Sequence, residues 1–170
     1  MKEDEKFRRQ EETALARIEE MDDPDRLETL IENARGMGSE RVAVAAFRKR
    51  VAVLSGEDHE TPVAFDFWRS IHTLEAALTE ERGKTTRLAR TRLKLTRSGV
   101  IETLSDLANT AKPSEGFDLL IARDMGDLTA EAVILRHPQD FDEATRTAAA
   151  ERLATAGVSL DTVRACDPGY

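Results

Sequence analysis

Residues 61–82, with the sequence TPVAFDFWRSIHTLEAALTEER, predict the central helix of this protein. Thr61 followed by Pro62 is a typical helix start, because the hydroxyl can accept a hydrogen bond from a free amide and proline presets the backbone angle. The stretch contains the only tryptophan of the chain. Its apolar residues share one broad helical face, which we expect to anchor the core: Phe65, Trp68, Ile71, Leu74, Ala77 and Leu78.

The remainder of the 170-residue chain has the same helical character. It contains 23 alanines but only eight Phe, Trp and Tyr residues, and no segment alternates cleanly between apolar and polar residues. We therefore expect an all-α protein, an irregular bundle of about seven or eight helices. Such a chain is long enough for one domain or two small ones.

Capping and breaking signals divide the chain into five segments. Asp23-Pro24 begins a helical hairpin, and Ser98-Gly99 interrupts the chain after a run of basic residues. In the C-terminal part, helices are predicted to begin at Ser114, at Thr129 and, from the spacing of a capping box, at Asp140. The predicted segments are a charged amphipathic helix (1–22), a hairpin plus the long core helix (23–82), a basic helix (83–98), a small C-terminal helical unit (99–160) and a loose tail (161–170).

The charge distribution is the most informative feature for function. The net charge is −8, yet residues 82–97 contain seven basic side chains and no acidic one. The remaining residues carry 18 basic and 33 acidic side chains, which amounts to −15. Because salt screens charges beyond roughly 8–10 Å, a local basic stripe can still bind a polyanion.

A helix through residues 84–97 would align most of these cations. Arg87, Arg90 and Arg97 fall within an arc of about 80° together with Lys94. Leu88 and Leu95 lie about 100° away and would dock the helix. Arginine can grip phosphate bidentately, and such a stripe can follow consecutive phosphates of DNA or RNA. The predicted nucleic-acid-binding residues are Lys84, Arg87, Arg90, Arg92, Lys94 and Arg97.

This pattern favours a non-catalytic nucleic-acid-binding protein, DNA more than RNA, in a regulatory or chromosome-associated role, with a possible homodimer. The alternative is a protein-interaction adaptor whose basic helix pairs with an acidic partner or a second subunit. A third alternative, a metal-dependent hydrolase, would use clustered acids such as Asp140 and Asp142. Those acids coincide with predicted helix starts, where carboxylates complement the helix dipole.

No other pattern predicts catalysis or a cofactor. Gly83-Lys84-Thr85 resembles the end of a phosphate-binding loop, but Leu78 occupies the position of its first glycine. The histidines have no partner at metal-ligand spacing, and we expect His137 at a surface or helix end. With one cysteine, Cys166, and no apolar segment long enough for a membrane, we expect a cytoplasmic protein without metal, small-molecule substrate or membrane partner.

Overall fold

The computed structural model describes residues 2–56 and 60–166, and all regular structure in these ranges is helical. The two ranges contain nine α-helices and two short 3₁₀ turns, and no strand occurs within them. The all-α prediction is thereby confirmed. The chain divides into two units, Met1–Glu57 and Asp58–Tyr170. This division falls among the polar residues of the sequence that precede Thr61, inside the predicted segment 23–82.

Unit 1 consists of three helices, α1 (Lys2–Glu19), α2 (Pro24–Gly36) and α3 (Glu40–Gly56). Asp23 caps α2 as predicted, since its Oδ1 accepts hydrogen bonds from the amides of Asp25 and Arg26 at 3.0 and 3.1 Å. Leu27 and Ile31 of α2 are buried, and so is Phe47 of α3. These apolar faces form the hairpin that the sequence predicts.

The helix α1 packs on α3 through few buried side chains. Ile18 is its only buried residue among those whose side chains are described. Two polar contacts add to the packing of Ile18. The hydroxyl of Ser39 donates to the carboxylate of Glu11, and Lys49 Nζ donates to the carbonyl oxygen of Glu19 at 2.9 Å. The charged surface of α1 therefore stays largely in solvent.

Unit 2 contains the other six α-helices. They are α4 (Pro62–Arg82), α5 (Ala89–Ala108), α6 (Glu115–Ala122), α7 (Ala130–Arg136), α8 (Glu143–Thr155) and α9 (Leu160–Ala165). The predicted caps are present at three of these helices. Thr61, Ser114 and Thr129 each accept a hydrogen bond from a first-turn amide through the side-chain oxygen.

The core of unit 2 forms around the short helix α7, whose residues from Glu131 to Leu135 are all buried. Helices α4, α5, α8 and α9 all pack on it. Their buried contributions to this core include Phe67, Ile71, Leu104, Leu153 and Val163. The predicted face of α4 is largely correct, with Phe65, Ile71, Ala77 and Leu78 buried and Trp68 and Leu74 half-buried.

Two expectations about the C-terminal part were wrong. The cap of α8 is Asp142, not Asp140, because Pro138–Asp140 forms a 3₁₀ turn and Phe141 is extended with its ring buried. Leu160–Ala165 is a helix rather than part of a loose tail. Its Val163 is only 1% exposed, so burial of that side chain holds the segment in place. Residues 167–170 lie outside the described ranges.

Candidate nucleic-acid interface

The basic segment, residues 84–97, consists of a loop followed by a helix. Gly83 ends α4 in the left-handed conformation, at φ 65° and ψ 19°, and α5 begins only at Ala89. The predicted continuous helix over 83–98 was therefore wrong. Lys84 and Arg87 lie on the loop, while Arg90, Arg92, Lys94 and Arg97 lie on α5.

Side chains of α4 explain why residues 84–88 are not helical. The amide of Thr86 donates to Thr79 Oγ1 at 2.9 Å, and the amide of Leu88 donates to Glu75 Oε1 at 2.9 Å. These amides are thus satisfied by a neighbouring helix instead of by a turn of their own. The loop is tied to α4 at two points, which holds its backbone against unit 2.

Arg92 forms an intramolecular pair with the same glutamate. Its Nε and Nη2 donate to the two carboxylate oxygens of Glu75 at 2.7 and 2.8 Å. The guanidinium also lies 4.8 Å from the ring centre of Trp68, within the range of a cation–π contact. Arg92 is therefore a structural residue that joins α5 to α4, rather than part of an open basic surface.

The electrostatics of Glu75 agree with this role. Burial alone would raise the pKa of its carboxyl group, but hydrogen bonds from Arg92 and from the Leu88 amide outweigh burial. The pKa of Glu75 therefore lies below its ordinary value of 4.5. The carboxylate stays ionised and continues to hold Arg92 at neutral pH.

Lys94 also has an acidic neighbour in the same chain, since its ammonium contacts the carboxylate of Asp106. The two side chains are 40% and 53% exposed, so the pair is solvated. An exposed pair of this kind is worth little, and a phosphate can compete with the aspartate for the lysine. Lys94 is thus partly engaged but accessible.

The other four cations are exposed, and no ion pair joins them to any residue within 2–56 or 60–166. On α5, Arg90, Lys94 and Arg97 lie within an arc of about 60°. Leu93 lies beside them and is 50% exposed. The four cations are Lys84, Arg87, Arg90 and Arg97.

The opposite side of the segment packs on the protein. Leu88 and Leu95 are half-buried against the core of unit 2, which confirms the predicted docking strip. At the far end, Gly99 adopts φ 80° and ψ 176° and interrupts the helical backbone. The predicted break at Ser98-Gly99 is therefore present as a kink within α5.

A buried polar cluster, which sequence reasoning missed, lies elsewhere in unit 2. We call Asp66, Arg69, Arg136 and His137 the Asp66 cluster. Arg136 donates to both oxygens of Asp66, from Nε at 2.7 Å and from Nη2 at 2.9 Å. His137 Nε2 lies 3.0 Å from Asp66 Oδ2 and donates to it, because an ionised carboxylate can only accept.

The cluster connects α4 to the C-terminal end of α7 and is closed to solvent. Asp66 has no exposed surface. His137 is 4% exposed and caps the end of α7, so of the two predicted positions, surface or helix end, the helix end is correct. Burial alone would raise the pKa of Asp66, but hydrogen bonds from His137 and Arg136 and the charges of both arginines lower it below the ordinary 3.8. The only signal in the sequence is a charged pair, Asp66 and Arg69, within the mostly apolar first half of α4.

Acidic groups elsewhere act as helix caps. Asp23 and Asp142 cap α2 and α8, which explains two of the acid-rich runs in the sequence. A search of the described ranges finds no group of three or more His, Cys, Asp or Glu side chains placed to hold a metal ion. Among the described helices, none is both long enough and apolar enough to cross a membrane.

No known protein-family model, curated protein sequence or solved structure matches the chain.

Proposed function

We propose that this protein binds nucleic acid without catalysis, DNA in preference to RNA, in a regulatory or chromosome-associated role. The observation that carries the proposal is the group of four exposed cations without a described acidic partner: Lys84, Arg87, Arg90 and Arg97. Lys94 joins them on α5 through an exposed, weak ion pair. Five such cations suit the spaced negative charges of a phosphate backbone.

In this proposal Arg92 has a different role from its neighbours. Its guanidinium is bound by Glu75 and packs on Trp68. It positions the start of α5 so that Arg90 and Arg97 point away from the core. We therefore count five phosphate-binding residues instead of six.

The alternative function is a protein-interaction adaptor whose basic segment pairs with an acidic partner or a second copy of the chain. Two observations favour it. Lys94 already pairs with a carboxylate in this chain, and Leu93 places an exposed apolar side chain among the cations. An acidic helix with one apolar residue would match that surface.

Fluorescence anisotropy with a labelled 24-base-pair duplex, the corresponding single strand and an RNA hairpin distinguishes these functions. Five phosphate contacts predict a slope of about −4.5 in a plot of log K against log salt for duplex DNA. The adaptor predicts no binding to any of the three at low salt. Tighter binding to the RNA hairpin than to the duplex would contradict the preference for DNA.

The variant R87A/R90A/R97A assigns the binding to the basic segment. We expect the slope to decrease in magnitude by about 2.7, since each phosphate contact contributes about 0.9. The matched control, R8A/R26A/R41A, removes the same charge from exposed positions in unit 1. Equal losses in the two variants, or undiminished binding in the first, would overturn the proposal.

A further inference from the structure

Unit 2 contains an apolar cavity next to the basic segment. Its volume is about 270 Å³, and it lies among α4, α5, α6 and the loop after α4. Large apolar side chains form most of its wall, among them Phe67, Ile71, Leu74, Phe117 and Leu120. An apolar cavity of roughly 150 Å³ accommodates benzene, so this one has room for an organic body of about 11 non-hydrogen atoms.

The mouth of the cavity is polar. The exposed lining residues are Arg82, Arg87, Ser114 and Glu115, and the half-exposed Thr86 and Thr91 also line the cavity. The Arg82 guanidinium lies 3.7 Å from the Glu115 carboxylate, so these two charges offset each other. Arg87 remains as the one guanidinium in the lining that no described carboxylate pairs with.

The inner acidic group of the cavity is already neutralised. Glu131 is 3% exposed, and its Oε1 accepts a hydrogen bond from Arg152 Nη1 at 2.8 Å. Arg152 is held in turn by the carbonyl oxygens of Leu107 and Thr110 at 3.0 and 2.6 Å. The remaining charge at the cavity is therefore the positive charge of Arg87.

We propose that this cavity binds a small organic monocarboxylate, with its apolar body among the core side chains and its carboxylate on Arg87. A guanidinium binds a carboxylate through two parallel hydrogen bonds, which gives both affinity and orientation. The cavity shares Arg87 with the proposed nucleic-acid interface, but the test of carboxylate binding contains no nucleic acid. Failure of one proposal thus leaves the other standing.

Three matched compounds test the proposal on the full chain: 4-phenylbutyrate, its uncharged amide and 4-phenylbutylamine. Titrations followed by ¹H–¹⁵N NMR should show saturable binding of the acid, about tenfold tighter than the amide, as one charge-assisted hydrogen-bond pair provides. The largest shifts should occur at Ile71, Leu74 and Phe117. Equal binding of all three compounds, or preference for the amine, would overturn the assignment.

Two variants locate the site. Arg87→Gln should remove the preference for the acid over the amide, while the matched control Arg97→Gln, outside the cavity lining, should retain it. Thr91→Trp should fill the cavity from its half-exposed rim and abolish binding of the acid. If Thr91→Trp does not fold, the chemical-shift changes of the unmodified chain on titration with 4-phenylbutyrate locate the site. Changes confined to residues outside the cavity would contradict the proposal.

Discussion

Single residues decide how α4 is joined to its neighbours. Asp66 is fully buried and accepts hydrogen bonds from Arg136 and His137, and Arg69 Nη1 lies 3.5 Å from its Oδ1. Removal of one member of a buried ionic group is costly because the remaining charges lose their partner. We accordingly expect the loss of the Asp66 charge to destabilise unit 2.

We expect Asp66→Asn to lower the free energy of unfolding by about 3–5 kcal/mol at pH 7, because it leaves two buried arginines without a carboxylate. Urea unfolding monitored by Trp68 fluorescence measures the change in unit 2. Asp161→Asn is the control, since its side chain is fully exposed, and its effect should stay below about 0.5 kcal/mol. Similar stabilities for the two variants would refute the assigned role.

A second residue-scale prediction separates the arginines of α5. Arg92→Ala should destabilise unit 2 by about 1–3 kcal/mol, because it leaves the Glu75 carboxylate short of its donors. It should leave the salt slope of DNA binding unchanged. Arg90→Ala should change the free energy of unfolding by less than about 0.5 kcal/mol. It should reduce the magnitude of the salt slope of DNA binding by about 0.9. Parallel urea and anisotropy measurements check both, and identical behaviour of the two variants would contradict the division.

At the scale of elements, α5 is two helical halves joined at Gly99. The first half carries the exposed cations, and the second contributes Leu104 and Ala108 to the core. The backbone angles of Gly99 belong to a region that only glycine adopts readily. The kink therefore sets the direction of the basic half relative to the packed half.

Gly99→Ala should destabilise unit 2 by about 1–3 kcal/mol, although a Cβ at this position would meet no atom within 4 Å. The cost arises from the backbone conformation and not from crowding. Gly36→Ala is the control, because Gly36 lies at the end of α2, has no positive φ and also has space for a Cβ. Thermal unfolding should show a lower midpoint for the first variant and no loss for the second.

The sequence predicted elements well wherever a local signal was strong. The caps at Asp23, Thr61 and Thr129 depend on a side chain and amides two or three residues away, so the local pattern was sufficient. The start of α5 was not predictable in this way. Glu75 and Thr79 bind the loop from another helix, and such contacts leave no trace in the periodicity of residues 84–97.

At the scale of the whole molecule, two buried carboxyl groups with a lowered pKa, Asp66 and Glu75, predict sensitivity to acid. Asp66 and Glu75 both have a pKa below the ordinary 3.8 and 4.5. The unfolded chain therefore takes up protons more readily, and stability should fall as the pH drops below about 4.5. The free energy of unfolding, measured between pH 7 and pH 3, should decrease less steeply for D66N/E75Q. If the free energy of unfolding of that variant depends on pH as steeply as that of the unmodified chain, groups other than Asp66 and Glu75 cause the loss of stability.

The net charge of the whole chain is a poor guide to its surface. The sum of −8 combines an acidic remainder with one basic segment, and within that segment Arg92 and Lys94 have acidic partners in unit 2. The sequence shows where the cations are. It does not show which of them are neutralised, because the acidic partners of Arg92 and Lys94 are 17 and 12 residues away along the chain, respectively.

The amino-acid sequence by itself determined the all-α class, most helix starts and the position of the basic segment. Each depends on residues that are close together along the chain. Only the tertiary structure decided the Asp66 cluster, the loop at 84–88 and the cavity beside Arg87. These features arise where distant helices meet, since hydrogen bonding and burial depend on distance in space, which local patterns do not encode.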